Sequence, residues 1–419
     1  MKTKITAFVL LFLIAFGVYA QIDRSKQPKP GPAPKITLET PKEFDMPNGI
    51  KVLVVENHKL PRVSFSLTID NKPTTSGKKA GVENLLGNML GNGTIHIPKD
   101  EFNDEVDFLG ATLRFSSSGG YASSLSKYSE RILQLMADAA IYPLLTEEEF
   151  NKEKDKLIES LKIQEKSVDA VAGRVGAALS YGTNHPYGEF ISQETVNNVT
   201  FQDVIGYKEK YFNPNNAYLV VVGDVNYETV QEEIKKYFGE WKKSVGLDIT
   251  VPDAVPNVQY TQIDFVDMPN AVQSNISLTN TVNLKMNDPD YHAVLIANKI
   301  LGGGFNSYLN MNLREAHGYT YGARSNIDSD KYIGRFTAGA DVRNAVTDSA
   351  VVETLKEIKR IKTEPVSAED LKNAKAKYVG DFVLALESPQ TIARYALNIK
   401  INDLPQDFYS TYLEKINAV

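Results

Sequence analysis

Two stretches of this chain echo one another, and that echo limits the folds open to it more than any other feature. ADAAIYPLLTEEEFNKEKDKLIESL (137–161) and VETLKEIKRIKTEPVSAEDLKNAKAKYVGDF (352–382) follow the same plan. In each, a helix closes at a Thr/Pro turn and an acidic cap opens a second, lysine-rich helix. RVSFSLTID (62–70) likewise resembles VQSNISLTN (272–280). The period is near half the chain, far beyond a solenoid repeat, so the sequence predicts two like halves. At 419 residues the chain is comfortable for two domains.

The elements follow from local pattern. Pro47-Asn48-Gly49 makes a turn between two apolar alternations, and 62–70 alternates again as a strand. Helices are predicted over 80–92 and 100–109, then a hairpin over 111–129 turning at Gly119-Gly120. Thr146 with Glu149 reads as a capping box. NAYLVVVGDV (216–225) is a fully apolar strand, and a closing helix follows it. Residues 244–258 carry prolines and little periodicity, which places a linker there between a first domain (36–243) and a second (259–419). The first copy ends with LVVVGDV and a helix, whereas the second stops at EKINAV. The expectation is a second domain that is incomplete at its C-terminus, in a fragment or a chain shorter than its relatives.

Residues 1–20, MKTKITAFVLLFLIAFGVYA, read as a signal peptide: Lys2 and Lys4 precede an apolar core, and Val18 and Ala20 suit a cleavage site before Gln21. An uncleaved anchor is the alternative, but the apolar run is shorter than the roughly 18 residues of a bilayer span and no stop-transfer pattern follows. Gln21 stands where a lipoprotein would have cysteine. The reading is an exported chain, periplasmic or secreted, with a Pro/Lys-rich tether at 21–35 and no integral membrane segment after cleavage. The chain has no cysteine, which excludes disulfides, thiolate metal sites and thiol nucleophiles. Losing Lys2 and Lys4 takes the formal charge from −6 to about −8, an acidic balance that argues against nucleic acid as partner.

The helix at 80–92, followed by Gly93-Thr94 and set in a duplicated chain, resembles the zinc helix of the pitrilysin and mitochondrial processing peptidase family, the inverzincins. In that family the helix reads His-x-x-Glu-His. Histidines four apart ligate zinc from one helix face, and the glutamate takes a proton from the zinc-bound water. On that frame Asn84 and Asn88 stand at the histidine positions and Gly87 at the glutamate, while Gly81, Met89, Gly93 and Thr94 match. The family's later glutamate ligand falls on Ser160; Glu159 or Glu165 reach it only with a slipped register. Asparagine does not replace imidazole for zinc, and glycine supplies no base. The five histidines, His58, His96, His185, His292 and His317, show no metal-ligand spacing and read as surface or turn residues. The resemblance implies a chain that binds no zinc of its own.

LGGGFNSYLNMNLREAHGYTYGARS (301–325) resembles the signature of the family's second domain, where an arginine and a tyrosine seven residues later reach across to the zinc site. Here these are Arg314 and Tyr321, which can donate hydrogen bonds to a substrate carbonyl or its oxyanion. The competing reading is an arginine paired with Glu315 or another acid, and a core tyrosine. Gly302, Gly303 and Gly304 form no nucleotide loop; they terminate a helix, with a weak case for contact to substrate.

The resemblance therefore implies an α+β chain of two homologous αβ sandwich domains, of the processing-peptidase/pitrilysin type. Its implied role is the Arg/Tyr-contributing, non-catalytic subunit of an exported heterodimeric zinc peptidase, whose HxxEH-bearing partner holds the zinc and with which it handles peptides. A scaffold or peptide-binding protein of the same fold is the alternative, and an independent peptidase using another metal ranks below both.

Overall fold

The computed structural model describes residues 40–419. The signal peptide and tether read from the sequence lie outside these residues.

The first half is built on a six-stranded mixed sheet in the order β1-β2-β6-β3-β5-β4. Its strands are β1 (Lys42–Asp45), β2 (Lys51–Glu56), β3 (Arg62–Ile69), β4 (Thr112–Ser116), β5 (Gly119–Leu125) and β6 (Ala217–Gly223). The apolar strand β6 runs parallel to β2 and antiparallel to β3, so it is inserted between two strands that are neighbours in sequence. Its residues from Ala217 to Val222 are all buried, as a strand covered on both faces requires. One face carries the main core, where Phe65 and Val221 meet helix α1 (Val82–Met89) and helix α3 (Ser129–Ile141) through Leu85, Leu86, Leu133 and Met136.

Two local expectations need correction. The β4–β5 hairpin turns at Ser117-Ser118, and Gly119-Gly120 instead open β5. Gly119 pairs with Thr68, and any side chain there would overlap the carbonyl of Leu67. The glycine is required by close approach of a neighbouring strand rather than by the turn. At the start of helix α4 (Glu147–Gln164) only half of the capping box forms. Thr146 accepts the N–H of Glu149 at 3.3 Å, while the Glu149 carboxylate takes Lys99 at 2.6 Å. An ammonium within reach wins over a backbone N–H for that carboxylate.

The second half has a three-stranded antiparallel sheet, β7-β9-β8, made of β7 (Gln273–Val282), β8 (Ala323–Ile327) and β9 (Gly334–Arg343). Helix α9 (Tyr291–Leu301) and the long helices α11 (Thr347–Thr363) and α12 (Ala368–Ala385) accompany it. Residues 241–272 contain no helix or strand.

The halves exchange helices. Helix α13 (Pro389–Ile401), from the second half, lays Ile392, Ala393, Ala396 and Leu397 on Leu53 and Val55 of β2 and on Tyr218, Val220 and Val222 of β6. In return helix α5 (Val168–Tyr181), from the first half, packs on β7, where Ser180 meets Thr279 at 3.1 Å and Asp169 meets Asn275 at 3.2 Å. Polar contacts close the seam: Lys331 to Asp70 at 2.7 Å, Lys400 to Glu43 at 2.7 Å, and Tyr187 to Asp330.

Candidate functional site

Helix α1 begins at Gly81, whose φ of 105° is left-handed and which abuts the side chain of Val196, so a glycine is required on both counts. Val82, Leu85, Leu86 and Met89 anchor one face in the core, which turns Asn84 and Asn88 outward. Gly87 lies beneath the β4–β5 turn. A β-carbon at 87 would stand 3.2 Å from the Ser117 nitrogen and 3.4 Å from the Ser116 α-carbon. The hairpin tip thus covers the place where the family's glutamate would project.

Asn84 shares a groove of about 340 Å³ with Leu157, Leu161 and Gln164 of α4 and with Arg174 and Phe190. Ser160 sits on the same stretch of α4, its Oγ accepting from Gln164 Nε2 at 3.2 Å. The two helices pack against one another, and of Asn84, Gly87, Asn88 and Ser160 it is Asn84 that lines the groove. Glu83, beside Asn84, accepts the Tyr207 hydroxyl at 3.3 Å, and burial together with that carboxylate pushes the Tyr207 phenol up. This pair escaped sequence reasoning because 124 residues separate its members.

Each histidine has a local role. His58 bonds Asp224 and His96 bonds Asp138, both at 2.7 Å, and His317 Nδ1 lies 3.1 Å from the Asn312 carbonyl. His185 is buried in a turn, stacked on Tyr181, and its Nδ1 accepts the N–H of Tyr187 at 3.0 Å. His292 is buried among Tyr291, Phe408 and Tyr412. Burial lowers the pKa of both buried imidazoles. Among the described residues no group of three His, Asp or Glu is placed to hold a metal ion. The amides of Asn84 and Asn88 and the hydroxyl of Ser160 do not fit zinc, and Gly87 has no side chain to offer.

In the second half, Gly302 ends α9 against β8, where a methyl group would overlap the backbone nitrogen of Ser325. A β-carbon at Gly303 would lie 2.9 Å from the Lys299 α-carbon, and one at Gly304 meets only the Lys299 side-chain end at 3.9 Å. The first two glycines serve packing, and Gly304 alone faces open space. Arg314 follows on a π-helical turn, Met311–Ala316, a form frequent at functional sites. Asn312 holds that turn by donating to Glu353 at 2.8 Å and to the buried Glu357 at 2.7 Å. Arg314 lies over the Phe305 ring at 4.7 Å, with its Nε 3.3 Å from Glu315. Tyr321 is 91% exposed, so it is no core tyrosine. No hydrogen bond or ion pair joins Arg314 or Tyr321 to Asn84, Asn88 or Ser160 among the described residues.

Residues 51–184 match the profile described as insulinase (peptidase family M16), and residues 198–378 match the M16 inactive domain. The chain belongs to the M16 peptidase family. Its M16 relatives include the uncharacterized zinc protease YmxG of Bacillus subtilis, 23% identical over 90% of this chain and 91% of that one. The crystal structure of a peptidase M16 inactive domain from Pseudomonas fluorescens superposes with a TM-score of 0.80 at 22% identity, covering 91% of this chain and 92% of that one. The periplasmic protease PqqL of Escherichia coli gives 0.71 at 14% identity, with 97% of this chain matched to 47% of that one. Both structures share the M16 fold with this chain.

Proposed function

We propose that this M16 chain is the non-catalytic subunit of an exported two-chain peptidase, lending Arg314 and Tyr321 to the zinc site of an HxxEH-bearing partner. One observation carries the reading. Asparagine and glycine stand where the family's zinc chemistry would be, while the arginine and tyrosine of the second-domain signature remain, Tyr321 projecting into solvent. In this role both side chains donate hydrogen bonds to the peptide carbonyl as negative charge grows on its oxygen, and this chain supplies neither metal nor base. The likeness to PqqL, whose one chain is about twice as long as the region matched, supports a pair of such units working together. The signal-peptide-like pattern of residues 1–20 in the sequence supports export.

A scaffold role is favoured by one contact: the Arg314 guanidinium is engaged within its own chain by Glu315 and Phe305. Co-expression with an HxxEH-bearing homologue separates the two. Arg314→Ala with Tyr321→Phe is expected to lower cleavage by the mixed enzyme about 100-fold or more while the complex still forms. Unchanged cleavage by the variant leaves the scaffold reading.

A further inference from the structure

Every residue lining the groove beside Asn84 lies between 84 and 191, so the first half alone builds its walls. Leu157 and Leu161 of α4, with Ile191, give it an apolar side, and Asn84 and Gln164 add exposed amides. Its free charge is Arg174 of α5. That guanidinium is half-buried, lies over the Phe190 ring at 5.4 Å, and has no ion pair or hydrogen bond among the described residues.

The acids close by are engaged elsewhere. Glu189, the one carboxylate in the lining, accepts the N–H groups of Ser76 at 3.0 Å and Gly77 at 2.6 Å. Asp169, on the same helix as Arg174, is taken by Asn275 at 3.2 Å. A guanidinium keeps its charge at any working pH, and one partly shielded from water without a counter-ion attracts a carboxylate strongly.

Gly173 leaves the space beside Arg174 open. It stands in the interior of α5, where glycine is costly relative to alanine, yet a β-carbon there would meet no atom within 4 Å. Packing within the chain therefore does not call for glycine at 173. Its bareness lets the main chain of an occupant lie close against α5.

We propose that this groove is a subsite for one acidic residue of an extended peptide. The aspartate or glutamate carboxylate pairs with Arg174, and a neighbouring apolar residue packs on Leu157, Leu161 and Ile191. The peptide main chain crosses Gly173, where the amides of Asn84 and Gln164 are available to it. One unanswered cation, with no lysine in the lining, selects one carboxylate rather than an acidic run. The proposal rests on the reading that this chain handles peptides, and it names the kind that fits.

The probes are the fluorescein-labelled, C-terminally amidated peptides AALAEAA and AALAQAA, titrated with the whole chain alone and read by fluorescence anisotropy. The glutamate peptide is expected to bind saturably, about tenfold or more tighter than its glutamine isostere. Arg174→Gln should remove that difference. Gly173→Leu fills the groove with a good helix former and should abolish binding of both peptides without lowering the thermal midpoint. Equal binding of the two peptides, absence of saturable binding, or a glutamate preference that survives Arg174→Gln would each overturn the proposal. So would AALAQAA with a free C-terminal carboxylate binding as tightly as amidated AALAEAA, since the groove would then take chain ends. The assay uses neither a partner nor cleavage. Unchanged cleavage by the Arg314→Ala, Tyr321→Phe variant therefore leaves this subsite standing, and equal binding of the two peptides leaves the Arg/Tyr role standing.

Discussion

Tyr187 and Asp330 meet across the seam between the halves, the tyrosine hydroxyl lying 3.1 Å from each carboxylate oxygen. Asp330 is itself held by the N–H groups of Tyr332 at 2.7 Å and Ile333 at 3.1 Å, so its carboxylate is fixed before the tyrosine reaches it. Tyr187→Phe should cost about 1.5 to 3 kcal/mol, the range for a hydrogen bond to a charged group. Urea unfolding measures it, and an unchanged midpoint would show that water replaces the hydroxyl.

Acid should loosen the same seam. His185 accepts the Tyr187 N–H through Nδ1, so that nitrogen is unprotonated in the fold, and burial holds the pKa below its usual 6.5. The unfolded chain therefore takes up a proton before the folded chain does. Stability is complete above about pH 6.5 and declines as the pH falls toward the folded value. His292, also lowered by burial, acts in the same direction. Thermal midpoints between pH 7.5 and 5.5 should fall for the parent chain and fall less for His185→Gln with His292→Phe.

The glycine run offers a contrast within three residues. Gly302→Ala forces α9 away from β8 and should lower stability by more than about 2 kcal/mol. Gly304→Ala, with only a flexible lysine end nearby, should stay within about 0.5 kcal/mol. Equal effects from the two, read by thermal melting, would remove the packing role assigned to Gly302.

Exchange of helices should make the halves interdependent. Leu397 packs on the outer face of β2 and β6, so Leu397→Asp places a carboxylate against Val55 and Val220. A loss of about 3 kcal/mol or more is expected, with residues 241–272 becoming the first site of limited proteolysis. An intact cleavage pattern would mean that α13 is an ornament of the first half rather than its cover.

Much of this architecture was written in local patterns. The alternation around Pro47-Asn48-Gly49, the cap at Thr146 and the apolar run before Gly223 each leave a mark within a few residues of where they act. Gly119-Gly120 misled because a pair of glycines signals both a turn and a close backbone approach, and only the carbonyl of Leu67 decides between them. The insertion of β6 between β2 and β3, and the choice of sheet that α13 covers, join residues distant in sequence and have no local signature. For the site, the frame of Asn84, Gly87 and Asn88 and the positions of Arg314 and Tyr321 were readable only through family resemblance. Nothing in composition or spacing distinguishes an arginine over Phe305 from any other surface arginine.

The late arrival of β6 sets an order of events on a chain made from its N-terminus. Val54 and Phe65 both wait for Val221, so the first sheet stays split down its middle until the chain through that residue has been synthesised. Contacts of such long sequence separation make folding slow. The nascent protein thus has a built-in delay, during which β2 and β3 present unpaired edges to whatever surrounds the growing chain.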